Sequence, residues 1–337
     1  MNFAIYQAPE LFAQLKAEWN DLLERSVTGS IFSTWEWTST WWDVFQPGRL
    51  WVLGCRDSDD RLVGLAPWFI TTGPTRIVKT IGCEEVADYL DVLVDKDWVE
   101  PVLEQFAVFL RENQAEYDEI FLCNIPEASV GSRQFPAILA QQGFSVNVVE
   151  EDVCPIVTLP GTWEEFLSGL NKKDRHELRR KLRRGQGNNV EVDWYIVTPE
   201  HDLDVEMQHF LEMMAASDPA KAAFLEDPGN VTFFKRIAAV AQEAGWLALC
   251  FLTVNGERAA TYFNYDYKRH VLVYNSGLKP EFGSLSPGIL LMARCIRYAI
   301  DNDYEVLDFL QGDEDYKYRL GGEDTRVMSL YAHVGEQ

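Results

Sequence analysis

Trp246-Leu-Ala-Leu-Cys-Phe-Leu-Thr253, the dipeptide Asn255-Gly256 and Arg258-Ala-Ala-Thr-Tyr-Phe-Asn-Tyr265 make two apolar runs, rich in aromatic and small residues, joined by a tight-turn signal. They predict a β-hairpin. Leu50-Trp-Val-Leu-Gly-Cys55, a polar turn at 57–60 and Arg61-Leu-Val-Gly-Leu-Ala-Pro-Trp-Phe-Ile70 have the same shape about 197 positions upstream. Beyond each hairpin the patterning predicts a strand (89–94; 271–274), a helix (99–111; 287–300) and a further strand (119–123; 305–310), at offsets of about 187 to 197. The order matches element for element. It predicts an α/β (α+β) protein of two tandem copies, each a mixed, mostly antiparallel sheet flanked by helices, with one parallel crossover through a helix. The division falls at 150/151, giving units 1–150 and 151–337.

Composition agrees with a folded protein of that size. The chain has 337 residues, 47% of them hydrophobic, with 11 tryptophans. Its first ten residues lack a basic region followed by an apolar run, and no apolar stretch approaches about 18 residues, so no membrane span and a cytoplasmic location are expected. The six cysteines contain no CxxC pair and several lie in apolar strand-like runs, which reads as reduced core thiols. The five histidines show no ligand spacing, and no metal is expected. A net charge of −23 argues against general nucleic-acid binding, because phosphate neutralisation supplies most of that affinity. One segment runs against the trend. Lys172-Lys-Asp-Arg-His-Glu-Leu-Arg-Arg-Lys-Leu-Arg-Arg184 holds eight Lys/Arg against two acids. On a helix, Lys172, Arg175, Arg179 and Arg183 share a stripe, while Leu178 and Leu182 anchor another side. This is either a solvated face or a clamp for a phosphorylated donor or carrier.

The second copy carries the chemistry-bearing residues. Ser286-Pro-Gly288 reads as a helix start, with Ser at the N-cap, Pro at the first helical position and Gly leaving the first-turn N–H groups uncovered. Such a start suits a pyrophosphate, though it also reads as simply a well-capped helix. After the strand 305–310, Gly312 permits a sharp turn, and the next eight positions hold three acids, two tyrosines, a lysine and an arginine. A carboxylate there can take a proton from an amine and a tyrosine can return one to a leaving group; the plainer alternative has Asp313 and Glu314 capping a short exposed helix. The first copy enters its helix through Asp95-Lys-Asp-Trp98, two acids that would repel a pyrophosphate, so donor binding is assigned to the second copy. The first offers Glu84-Glu-Val-Ala-Asp-Tyr-Leu-Asp91, with Asp88 and Asp91 as acceptor-binding candidates. It also has four tryptophans within 32–42, which line an acceptor groove or pack a core.

Lys172-Lys-x-Arg175 with its basic helix, Ser286-Pro-Gly288, and Asp308-Phe-Leu-x-Gly-Asp-Glu-x-Tyr-Lys-Tyr-Arg319 together resemble the acetyltransferase group associated with bacterial cellulose biosynthesis, within the GNAT superfamily of acyl-CoA N-acyltransferases. The tandem copies and the basic helix opening the second one also resemble the Fem-type aminoacyltransferases that build peptidoglycan cross-bridges. The resemblance runs from about Trp19 to Leu320. It implies acetyl-CoA or another acyl-CoA as co-substrate, held at splayed strands of the second unit with its pyrophosphate on Ser286, Pro287 and Gly288. Attack on the acyl carbonyl is then direct, by an amine of a small-molecule or envelope-polysaccharide acceptor. The segment Glu281-Phe-Gly-Ser-Leu-Ser-Pro-Gly288 only partly follows the usual donor loop, so phosphopantetheine on an acyl carrier protein, or an aminoacyl-tRNA, remains an alternative donor. On this reading Asp308 or Asp313 is the base, Tyr316 the acid, Lys317 or Arg319 orients a carboxylate or phosphate of the acceptor, and Lys172, Arg175 and Arg179 grip the donor or carrier. A Fem-like transferase and a non-catalytic accessory protein of an envelope polysaccharide system are the competing functions.

Overall fold

A computed structural model describes residues 1–83, 86–187 and 190–335. Glu84 and Glu85 lie outside the described residues. The chain packs as two compact units, one of Met1–Val153 with the chain from Thr325 onward, the other of Cys154–Asp324.

The first unit runs β1 (Asn2–Tyr6), α1 (Leu11–Arg25), α2 (Trp35–Phe45), β2 (Gly48–Leu50), β3 (Val52–Arg56), β4 (Leu62–Ala66), β5 (Trp68–Thr71), β6 (Ile77–Thr80), β7 (Leu93–Val94), α3 (Val99–Glu112), β8 (Glu119–Pro126), α4 (Val130–Arg133) and α5 (Phe135–Gln141). It then enters β9 (Phe144–Thr158), inside which the boundary falls. β1, β3, β4 and β7 form an antiparallel sheet. In a second sheet β2, β5 and β6 are antiparallel neighbours, and β6 pairs parallel with β8 through Ile77↔Glu119 and Val78↔Ile120. α3 buries Val102, Leu103, Phe106 and Leu110, a stripe at helical spacing. Phe106 meets Trp68 at 5.8 Å between ring centres.

The second unit contains α6 (Trp163–Gly169), α7 (Lys172–Arg184), β10 (Val192–Ile196), α8 (Leu203–Ser217), α9 (Pro219–Phe224), α10 (Pro228–Glu243), β11 (Leu247–Val254), β12 (Glu257–Tyr267), β13 (His270–Leu278), α11 (Pro287–Asp301), β14 (Val306–Asp308) and α12 (Asp315–Arg319). Its strands lie in the order β10-β11-β12-β13-β14-β9, with β13 and β14 parallel and the other pairs antiparallel. The hairpin β11–β12 closes through Asn255 at φ 50° and Gly256 at φ 83°, the left-handed pair that a two-residue turn requires. α11 buries Leu291, Met292, Ile296 and Ala299 completely, each large apolar side chain contributing about 2–3 kcal/mol. β15 (Glu323–Val334) follows and pairs antiparallel with β8 of the first unit.

Each unit therefore has the mixed sheet and the parallel crossover that the repeat predicts, with three corrections. In the first unit the strand entering the crossover is β6, not 89–94: only Leu93–Val94 of that segment is a strand, and it pairs antiparallel with β4. The chain from Thr325 onward packs with the first unit rather than the second, because β15 finds its partner in β8. Cys83 and Cys123 form a disulfide with Cα atoms 5.8 Å apart, while Cys55, Cys154, Cys250 and Cys295 are buried free thiols. The tryptophans at 37, 41 and 42 are core residues, and Trp35 donates its indole N–H to Phe12 O at 2.7 Å, so this cluster packs α2 instead of lining a groove.

Candidate active site

The second unit opens where its sheet should continue. β13 and β14 pair at three positions only, His270↔Val306, Val271↔Leu307 and Leu272↔Asp308. β14 ends there, whereas β13 continues to Leu278. A register shift between Phe263 and Asn264 bends the β12–β13 ladder beyond that level. Beyond Leu272 and Asp308 the two strands no longer pair, which opens a wedge on the β14 side of β13.

α11 starts at the mouth of the wedge. A 3₁₀ turn, Pro280–Leu285, leads to Ser286, which is left-handed at φ 55° and ψ 56°. A capping serine needs extended backbone to aim its hydroxyl at the first-turn N–H groups. Ser286 lacks it and makes no side-chain cap; its N–H instead goes to Gly283 O at 3.0 Å. Pro287 and Gly288 are buried, so the positive end of this helix is both sheltered and uncapped by side chains. A Cβ on Gly288 would lie 3.0 Å from Leu278 Cδ2, which explains the glycine by close packing on β13. Tyr262, from β12, donates its hydroxyl to Gly288 O at 3.4 Å.

The segment after β14 supplies the opposite wall. Asp308 is buried and accepts the Leu310 N–H at 2.8 Å, holding the turn in which Leu310 is left-handed at φ 55°. Lys317, only 2% exposed, donates to Leu310 O at 3.2 Å, Gln311 O at 2.6 Å and Gly312 O at 3.1 Å, and pairs with Glu314 at 2.9 Å. Its ammonium thus clamps the loop. Tyr316 packs edge-on against Phe309 at 5.8 Å, and burial followed by the Glu314 charge pushes its phenol well above the usual tyrosine range. Tyr262 is raised likewise, by burial first and then by Tyr316, Cys295, Cys250 and Glu314, so the two phenols and Glu314 share one neighbourhood. Lys221, from α9, reaches Ser276 O at 2.8 Å and Ser276 Oγ at 3.1 Å on the free end of β13. Burial lowers its pKa, opposed by Asp218 and Glu314.

The sequence-selected residues therefore divide. Gly288, Tyr316, Lys317 and Asp308 converge on the wedge, Lys317 and Asp308 by shaping its loop. Asp313 is exposed on that loop, and Arg319 lies on the outer side of α12 in an exposed pair with Asp315 at 3.0 Å. Lys172 is exposed, Arg175 donates to Ser168 O at 3.1 Å, and Arg179 faces a separate cleft. Arg184, at the end of the same helix, is the basic residue beside the α11 entry, with Nη1 2.8 Å from Ser284 O. In the first unit Asp91 is buried and accepts from Thr28 Oγ1 and Val92 N–H, both at 2.8 Å, tying its loop inward. Burial raises its pKa to about 6 against the hydrogen bonds from Thr28, Ser129, Val92 and Gly131. Asp88 is half-buried. Tyr262, Lys221 and Ser276 were missed by sequence reasoning, and Glu314 entered it only as one of the three acids of the loop and a possible cap. Tyr262 read only as one more strand aromatic, and nothing local marks the α9 lysine as facing β13. Among the described residues no group of three or more His, Cys, Asp or Glu is placed to hold a metal, and no helix is long and apolar enough to cross a membrane.

No curated protein sequence matches the chain significantly. Residues 172–318 match the family model described as an acetyltransferase (GNAT) domain. Among solved structures the chain is similar to FemX, at 11% identity, TM-score 0.67 and coverage of 99% of this chain and 98% of that one. It is similar to L-PGS from Bacillus licheniformis at 12% identity, TM-score 0.58 and 95% and 92% coverage. A tandem GNAT protein from the clavulanic acid biosynthesis pathway aligns over 100% of both chains at 10% identity and TM-score 0.52. The fold is a tandem GNAT fold, and the wedge, the α11 start and the Glu314–Tyr316 segment all lie within the stretch that carries the acetyltransferase-domain match.

Proposed function

We propose that the protein is an N-acyltransferase that binds an acyl-CoA in the wedge between β13 and β14 and transfers its acyl group to an amine. The observation that carries this reading is the parallel pair that separates after three rungs beside a buried, uncapped helix start. The β14-facing edge of β13 can hydrogen-bond an extended pantetheine arm, and the first-turn N–H groups of α11 suit its pyrophosphate. The amine nitrogen bonds to the thioester carbon and the C–S bond breaks. The amine proton passes to Glu314 directly or through water, and a phenol, Tyr316 or Tyr262, protonates the leaving thiolate. Both phenols are held protonated far above neutral pH, as an acid in that role needs to be. Lys317 and Asp308 act as positioning residues for this segment, and Asp313, exposed beside it, is retained as an alternative proton acceptor for a large acceptor. The acceptor is a small amine or an amine of an envelope polysaccharide precursor, and the reaction is placed in the cytoplasm, where acyl-CoA is available.

The test is calorimetric titration of the purified protein with acetyl-CoA and longer acyl-CoAs, together with mass spectrometry of small molecules that copurify. Saturable binding abolished by Gly288→Val supports the assignment; absence of any acyl-CoA binding overturns it. The Fem-like reading, with an aminoacyl-tRNA donor, draws support from the full-length fold likeness to FemX and from the basic helix α7. Gel-shift at physiological salt separates the two, since retention of tRNA through α7 favours the second.

A further inference from the structure

A cleft of about 490 Å³ lies in the second unit between α7 and the outer side of α11. Arg179 and Arg183 enter it from α7, and Arg294 and Arg297 from α11. Between the arginines its wall is part apolar, with Trp163 and Leu290, and part polar, with His176 and Gln186, and no carboxylate lines it. Four guanidiniums around one concavity repel each other, and in a chain of net charge −23 acidic partners are abundant. Yet the acids are elsewhere. Glu177, the helix's own carboxylate, pairs with Arg180 at 2.7 Å and Lys181 at 4.0 Å on another side of α7. Among the described residues Arg179, Arg183 and Arg294 make no ion pair, and Arg297 has only the exposed Asp301 at 3.5 Å.

We propose that this cleft is a second anion site, which binds a phosphate-bearing ligand with an apolar or aromatic portion. Guanidinium forks pair bidentately with phosphate oxygens, and four of them match a pyrophosphate or two phosphate groups better than a single carboxylate. The volume is that of a small-molecule site, roughly 300–1,000 Å³, and exceeds what an inorganic phosphate fills. The apolar wall therefore takes the organic part of the ligand. The site is distinct from the donor wedge: Gly288 faces Leu278 and Tyr262, whereas Leu290 meets α7, where a Cβ on Gly185 would come within 2.9 Å of its Cδ1. It does not rest on the acyltransferase reading. Two sources offer this chemistry, a soluble nucleotide and a phospholipid headgroup.

Binding of inorganic pyrophosphate and ADP is measured by calorimetry, and binding to phosphatidylglycerol against phosphatidylcholine vesicles by co-sedimentation. At least one anionic probe should bind the full chain, ADP alone marking a soluble source and phosphatidylglycerol alone a lipid one. Arg179→Gln with Arg294→Gln, and separately Arg183→Gln with Arg297→Gln, should each weaken that probe at least tenfold without changing thermal unfolding. Arg180→Gln, on the Glu177 side, should change it less than twofold. The proposal fails if no anionic probe binds at millimolar concentration, or if Arg180→Gln costs as much as the cleft pairs. It also fails if Gly288→Val abolishes the same binding, which would make the cleft an extension of the donor wedge.

Discussion

The two units run the same crossover to opposite ends. In the first, β6 passes through α3 to β8, an eight-residue strand that pairs with β6 at two positions and with β15 along its other edge. In the second, β13 passes through α11 to a strand of three residues that stops at Asp308, while β13 runs on to Leu278 beside β12. Their helix starts differ in charge as well. α3 follows Asp95 and Asp97 and carries Glu100 in its first turn, while α11 has no acid there. Although burial pushes Asp95 up, its hydrogen bond with Arg25 at 2.7 Å holds its pKa below the ordinary value, so a negative charge stays beside α3. An acidic helix start disfavours a pyrophosphate, and a neutral, buried one suits it. On the proposed function one architecture would serve as scaffold in one copy and as site in the other.

The contrast extends to the buried charge that each unit uses. The largest effect is expected at Lys317, whose replacement by methionine leaves three loop carbonyls and Glu314 without their donor. Lys317→Met should destabilise the second unit by about 3–4 kcal/mol, read by urea unfolding; a loss below about 1 kcal/mol would mean that the loop holds itself. In the first unit the counterpart is Asp91. Its pKa is raised from 3.8 to about 6, so the folded state holds the proton more tightly, and this contribution is present below pH 3.8 and lost as pH rises through 6. The shift corresponds to about 3 kcal/mol. Stability of the wild type relative to Asp91→Asn should therefore fall by that order between pH 4 and pH 7, and parallel curves would refute the burial account.

Gly288→Val tests the asymmetry directly. It should weaken acyl-CoA about 100-fold, or roughly 2.7 kcal/mol, while Glu100→Lys in the first-turn counterpart on α3 should leave affinity unchanged. Equal effects would abolish the distinction between the copies. The smallest effect is expected from Tyr316→Phe, about tenfold in kcat with donor affinity retained. Because the phenol is held above its usual range, kcat of the wild type should show no Tyr316-dependent fall up to about pH 10. A descending limb near pH 8 that vanished in the variant would place the phenol's titration elsewhere.

Sequence by itself determined the elements whose signals are local. The Asn255-Gly256 hairpin, the limits of α7 at Lys172–Arg184, the stripe of α3 and the start of α11 all depend on residues within one or two turns of each other. Repetition of that order was enough to read two α/β units. Tertiary structure decided what depends on distant partners. Whether β6 or the 89–94 segment enters the crossover, and which unit keeps the chain beyond Thr325, turn on which strand offers free backbone, and no local pattern encodes that choice. The Cys83–Cys123 pairing spans 40 residues and is equally invisible to spacing. In the site, type and proximity identified Lys317 and Asp308, but only the fold shows the lysine clamping carbonyls and the aspartate holding a turn. Tyr262 and Lys221 reach the wedge because β12 runs the length of β13 and α9 brings Lys221 to Ser276, long-range contacts that burial sets and sequence distance conceals.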